Sequence, residues 1–219
     1  MFLPQENTKN KPLLLYHGSK NGIIGDINPL SRELCDFGKG FYMGTDKQQA
    51  LTLICNFPNP KLYTLRADLD DLRILELKVG IDWALLIAYY RGKMKAVKNS
   101  NLYRKYSNMA VDCDIIIGHI ANDRMFMVLD RFFAGDITDT ALIGSLAALK
   151  LGKQYVAVTK KACRQIEVID EKTFSSAERN CLRTASEAYR QEGIRKAEEV
   201  IRKHRRDGRF FDEILEEGY

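Results

Sequence analysis

Apolar residues fall in short runs whose period changes along the chain. Leu13–His17 is a compact apolar run suited to a buried strand. Lys20–Asp36 is rich in Gly, Asn, Pro and Ser and reads as a loop. Gly40–Gly44 predicts a second short strand. Thr45 or Asp46 can cap a helix through Ala50, Leu53 and Ile54, which "FPNP" at Phe57–Pro60 stops. "KLYTLRADL" and "RILELK" alternate as strands, and "IDWALLIAYYRGKM" has helical spacing through Trp83, Leu86, Ile87 and Tyr90. Lys93–Asn108 is polar and basic and reads as a mobile loop.

Further on, Asp114–Gly118 predicts a buried strand. Asn122 or Asp123 then starts the helix "RMFMVLDRFFAG", with Gly135 as its stop. "ITDTALIGSLAALKLG" predicts a helix opened by Thr138 and closed by Gly152. "QYVAVT" and "IEVID" are late strands around a turn at Lys160–Arg164. From about Ser175 the pattern is long and helical, broken at Asp207-Gly208. Strands and helices mix without regular β-α-β alternation, so the expected class is α+β. The expected division is a domain over residues 1–170 and a charged helical extension over 171–219.

Composition narrows the options. The chain is 219 residues, 45% hydrophobic and 29% charged, as expected of one globular domain with an appendage. No apolar run approaches the ~20 residues that span a bilayer, and the start lacks the pattern of a secretory signal. Five scattered cysteines without a C-x-x-C pair argue for reduced thiols in a cytoplasm, against a disulfide framework and against structural zinc. With only His17, His119 and His204, a histidine-rich metal site is not expected. The net charge is +5, and residues 171–219 hold 11 basic and 11 acidic side chains, so the excess lies in residues 1–170. "RKHRRDGR" at Arg202–Arg209 is locally basic; a solvated helix face is its simpler reading, a nucleic-acid contact the other.

Three polar residues stand at the edges of apolar runs: His17, Tyr42 and Gln154. Taken singly, His17 reads as a structural strand-end histidine, Tyr42 as core or rim packing, and Gln154 carries little catalytic signal by itself. Together, "LYHGS", "FGKGFYMGTDKQQA" and "KQYVAV" resemble the ADP-ribosyltransferases of the poly(ADP-ribose)-polymerase-like branch. The resemblance is fuller to a bacterial family of that superfamily, DUF3990, through "LYHGS", "DFGKGFY", "IIIGHIANDR" and glutamine-aromatic-valine. It spans roughly Leu13 to Asp170.

The resemblance implies a split β-sheet fold that takes NAD+ as its substrate and needs no metal. Breaking the bond to nicotinamide passes through a cation-like sugar, so the protein's tasks are positioning and electrostatic support. His17 then hydrogen-bonds a ribose hydroxyl, and the Gly18 backbone pairs with the carboxamide beside Ser19. Tyr42, next to Phe41, offers a face for nicotinamide. Gly38 and Gly40 let the chain turn closely around the ligand, Lys39 balances the pyrophosphate, and Gln154 holds the 2′-hydroxyl of the reacting ribose. The catalytic set is His17, Tyr42 and Gln154, with glutamine where the poly-forming branch has glutamate. The branch's serine and second aromatic are also replaced, the neighbours here being Gln49, Ala50 and Leu53.

The expected activity is therefore mono-ADP-ribosyl transfer to an unknown protein or nucleic-acid acceptor. The superfamily's bacterial habits add a toxin-like or conflict-effector role and a protein partner, such as an antitoxin, on the C-terminal helix. A membrane partner is not expected. The alternatives are a catalytically inactive NAD+- or protein-binding module and an NAD+ glycohydrolase.

Overall fold

In the computed structural model, which describes residues 12–119, 123–148 and 152–217, the first apolar run forms strand β1 (Leu13–Ser19). Strand β2 (Phe41–Gly44) follows the glycine-rich loop. Asp46 caps helix α1 (Lys47–Ile54) by accepting from the backbone N–H groups of Gln48 and Gln49. Strands β3 (Lys61–Ala67) and β4 (Ile74–Glu76) precede helix α2 (Ile81–Tyr90), which is apolar nearly all round and therefore central.

The segment expected as a mobile loop at Lys93–Asn108 is ordered. A 3₁₀ turn at Lys95–Val97 leads into helix α3 (Asn101–Asn108), whose cap Ser100 accepts from the Tyr103 N–H. Leu102 and Tyr106, one turn apart, are buried in the α2 cluster, and the Tyr106 hydroxyl donates to Asp82 over 2.7 Å. Two apolar residues among charges suffice to seat a short helix but make a weak pattern.

Strand β5 (Ile115–His119), helix α4 (Asp123–Phe133), helix α5 (Asp139–Ala148) and strand β6 (Lys153–Ala157) come next. Thr138 caps α5 through the Ala141 N–H. The expected cap at Asn122 and the last turn before Gly152 lie outside the described residues. Lys160–Arg164, expected as a turn, forms a short helix, α6, capped by Thr159. Strand β7 (Ile166–Thr173) and helices α7 (Ser176–Lys203) and α8 (Phe211–Glu217) complete the chain.

Among the described residues, seven strands make one mixed sheet in the order β4-β5-β6-β2-β1-β3-β7, antiparallel except for β4 with β5. This is an α+β architecture. Strand β1 pairs with β3 along its whole length but meets β2 in one register pair, Tyr16 with Gly44. The sheet therefore parts beyond Tyr16. One face packs α2, α3, α4, α5, α7 and α8 around Trp83 and Phe132. The other buries Leu15, Phe41, Met43, Leu65 and Ile117 under α6, while α1 covers Leu62 beside Tyr16.

Strand β7 runs through Asp170, pairing Glu171 with Tyr63 and Thr173 with Lys61. The expected boundary at residue 170 thus cuts a strand. Beyond it, Ala197, Ile201, Phe211 and Ile214 lie in the same core cluster as α2. The C-terminal segment is part of the packed fold, its few apolar positions diluted in sequence by charge. Among the described residues, no helix is long and apolar enough to cross a membrane.

Candidate functional site

The parted strands leave backbone groups that a continuous ladder would satisfy. His17 meets one of them: its ring Nδ1 lies 2.7 Å from the Tyr42 carbonyl oxygen. A carbonyl only accepts, so Nδ1 carries the hydrogen, and in the neutral ring Nε2 is an acceptor. Burial holds the His17 pKa below the ordinary histidine value, and the Tyr42 contact restores only part of the difference. The ring is flanked by Phe41 at 4.5 Å and Tyr63 at 6.2 Å between centroids.

The Asp36–Gly40 turn is tied from two sides. Ser31 Oγ donates to the Gly38 carbonyl and accepts from the Gly40 N–H at 3.0 Å. The Tyr42 hydroxyl donates to the same carbonyl at 2.8 Å and accepts from the Phe37 N–H at 3.0 Å. Burial pushes the Tyr42 pKa far above the usual tyrosine range. Its hydroxyl is thus engaged in the turn, and the ring is what it presents to the cleft.

The glycines answer to the protein itself. A Cβ on Gly18 would lie 2.6 Å from the Ala50 carbonyl of α1, and one on Gly40 would meet Val156 of β6 at 2.4 Å. Gly38 has φ +70°, and a Cβ there would strike the Tyr90 ring at 2.8 Å. At these positions the side-chain direction is filled by neighbouring elements, so packing alone requires glycine there.

Gln154 is buried on β6. Its Nε2 donates to the His119 carbonyl at 3.0 Å. The amide oxygen Oε1 accepts only. Asp36 is itself only 6% exposed, and Arg91 at the end of α2 meets its Oδ1 with Nε at 3.0 Å and Nη2 at 2.8 Å. Burial raises the Asp36 pKa above the usual carboxylate range, with Arg91 and then Gln154 pulling it back.

His17, Gly18, Tyr42 and Gln154 line one cleft of about 280 Å³ with Asp36, Arg91 and Gln49. A second lobe of about 670 Å³ adjoins it along His17, Gly18, Arg32, Cys35 and Tyr42, and Ser19, Lys20, Gly40, Phe41 and Phe57 line that lobe. Gly38 and Lys39 line neither lobe, and Lys39 Nζ pairs with Glu33 at 2.9 Å on the surface. Asp36, Arg91 and Arg32 were not singled out from the sequence, and Gln49 entered it only as a neighbour of the replaced serine. Asp36 opens the quoted "DFGKGFY", which was the one available signal. Gln49 Nε2 is buried without a hydrogen-bond partner. Among the described residues, no group of three or more His, Cys, Asp or Glu side chains could hold a metal ion.

Fold and site together define an α+β protein with a ligand-sized cleft where a mixed sheet parts, walled by a neutral histidine, a buried amide and a buried ion pair. The chain belongs to the family described as protein of unknown function (DUF3990), whose model matches residues 13–168. The match ends inside β7, so α7 and α8 lie beyond it. No curated protein and no solved structure matches the chain.

Proposed function

We propose that this protein cleaves the bond between nicotinamide and ribose in NAD+ and transfers single ADP-ribose units to an acceptor. The reading rests above all on the convergence of His17, Tyr42 and Gln154, distant in sequence, on one cleft at the parting of β1 and β2. The resemblance of the motifs to ADP-ribosyltransferases supplies the chemistry.

The Tyr42 ring takes nicotinamide against its face, and the open edge of β1 beyond Tyr16 offers backbone groups to the carboxamide. His17 Nε2 and Gln154 Oε1 are acceptors, suited to two ribose hydroxyls. Arg32, where the lobes meet, is better sited than Lys39 to face the diphosphate. The C1′–N bond breaks with its electron pair leaving on nicotinamide. The acceptor's lone pair then forms the new bond to C1′, and its proton passes to solvent or to a base of the acceptor.

Gln154 has no titratable group, so it holds a hydroxyl without drawing a proton from an incoming one. That restricts the product to single units. Lacking a carboxylate at this position slows turnover by a barrier on the order of 2–4 kcal/mol, the cost of one preorganised group. The same observation favours a second reading, an NAD+-binding module without transfer.

Labelled NAD+ incubated with purified protein and lysate, followed by separation of protein and nucleic acid, separates the readings. Gln154→Ala is expected to abolish transfer while leaving most NAD+ affinity, measured by calorimetry. Ladders of repeating ADP-ribose, or full activity in Gln154→Ala, refute the assignment. NAD+ that binds and stays intact selects the second reading.

A further inference from the structure

Two glutamines line the smaller lobe of the cleft, and the protein treats them differently. Gln154 has its Nε2 fixed on the His119 carbonyl. Gln49 is only 4% exposed, and among the described residues its Nε2 has no hydrogen-bond partner. Folding strips water from this N–H and leaves it unpaired, a cost that nearly every buried polar group in a folded protein avoids. The backbone beneath it is tied. The Gln49 N–H donates to Asp46 Oδ1 in the first turn of α1, and the Gln49 carbonyl accepts from the Thr52 hydroxyl at 2.8 Å.

Position gives the unpaired amide a use. Gln49, Ala50 and Leu53 lie on the face of α1 that lines the lobe. That turn of helix packs so closely on β1 that a Cβ on Gly18 would lie 2.6 Å from the Ala50 carbonyl. The Gln49 amide and the open edge of β1 beyond Tyr16 therefore border the same space. The lobe is otherwise mostly apolar, with Tyr16, Met43 and Leu53 in its wall, and the buried charges of Asp36 and Arg91 meet each other. Such walls favour a flat, neutral, hydrogen-bonding group over an anion.

The complement of an amide is another amide, since each gives one N–H and accepts one. No protein acceptor holds Gln49 Nε2 back, so the terminal bond is free to turn it onto a ligand carbonyl. A carboxylate in the same place offers no donor in return and brings a charge into the lobe.

We propose that Gln49 is the binding residue that recognises a neutral carboxamide in the smaller lobe and discriminates against the corresponding carboxylate. That the carboxamide is nicotinamide's rests on the ADP-ribosyl-transfer reading; the unpaired amide does not.

The probes are nicotinamide and nicotinate, its carboxylate counterpart, and the variant is Gln49→Met, which keeps the length of the side chain without its N–H. Without ligand, Gln49→Met is expected to melt within ~2 °C of wild type or above it, because the group removed was unpaired. A larger loss would show that the protein itself satisfies the amide, and overturns the inference. In calorimetry, wild type is expected to bind nicotinamide about tenfold or more tightly than nicotinate, and Gln49→Met to lose about tenfold in nicotinamide affinity and that preference with it. Equal nicotinamide affinity in the two proteins, or no binding to wild type at millimolar concentration, overturns the role of Gln49. Labelled NAD+ separates this from the transfer reading. NAD+ left intact by a protein whose nicotinamide binding depends on Gln49 overturns the transfer reading alone. NAD+ cleaved by wild type and Gln49→Met with the same KM overturns the role of Gln49 alone.

Discussion

His17 carries two duties at one point, closing a gap between strands and lining the cleft. The first duty has a consequence in pH. Burial lowers its folded pKa below the unfolded value of about 6.5, so the unfolded chain takes up a proton that the folded chain resists. Its contribution to stability is complete above pH 6.5 and is lost as the pH falls toward the depressed folded value. Melting temperatures between about pH 7.5 and 5 are expected to fall more steeply for wild type than for His17→Asn, an amide with nothing to titrate. Equal slopes would show that His17 carries no such linkage. His17, Tyr42 and Gln154 were legible because each stands at the edge of an apolar run and inside a motif of the resemblance. Asp36 and Arg91 were not, being 55 positions apart and each ordinary in its own neighbourhood.

At the scale of elements, local chemistry was informative where caps and periods were strong. Asp46 and Thr138 start their helices as expected, and Gly135, with φ +78°, follows the end of α4. Helix α3 escaped because its buried face is two residues wide. The distinction is testable through those two residues. Leu102→Ala is expected to cost about 2–5 kcal/mol by opening a cavity, and Tyr106→Phe about 1 kcal/mol by removing the bond to Asp82. Urea unfolding measures both. A segment that is loose would leave both variants within error of wild type. Turn and helix differ less at Lys160–Arg164, where one hydrogen-bonded turn capped by Thr159 satisfies either description.

Over the whole molecule, the C-terminal helices matter more than their composition suggests. Ser175 and Glu178 form a reciprocal capping box that starts α7, and the helix is laced by pairs such as Arg195 with Glu199 and Glu192. Those exposed pairs add little. The anchoring comes from Ala197, Ile201, Phe211 and Ile214, with Phe211 against Phe132 and Phe133 at 5.3 Å each. Ending the chain after Thr173 is therefore expected to abolish cooperative melting or leave the protein insoluble. A truncated chain that melts sharply, within a few degrees of full length, would show that α7 and α8 are a separable appendage.

The sequence by itself determined the α+β class, most of the strands and helices, and the three polar residues that share a cleft. The class and elements follow from period and capping, properties of neighbouring residues, and the three residues from run ends together with the resemblance of their motifs. Only the tertiary structure decided that β1 and β2 part after a single register pair, that Gly18 and Gly40 yield to α1 and β6, and that Asp36 joins Arg91. Each of these depends on which distant segments meet. A buried charge reveals its partner only when the fold has brought the two together and removed the water between them.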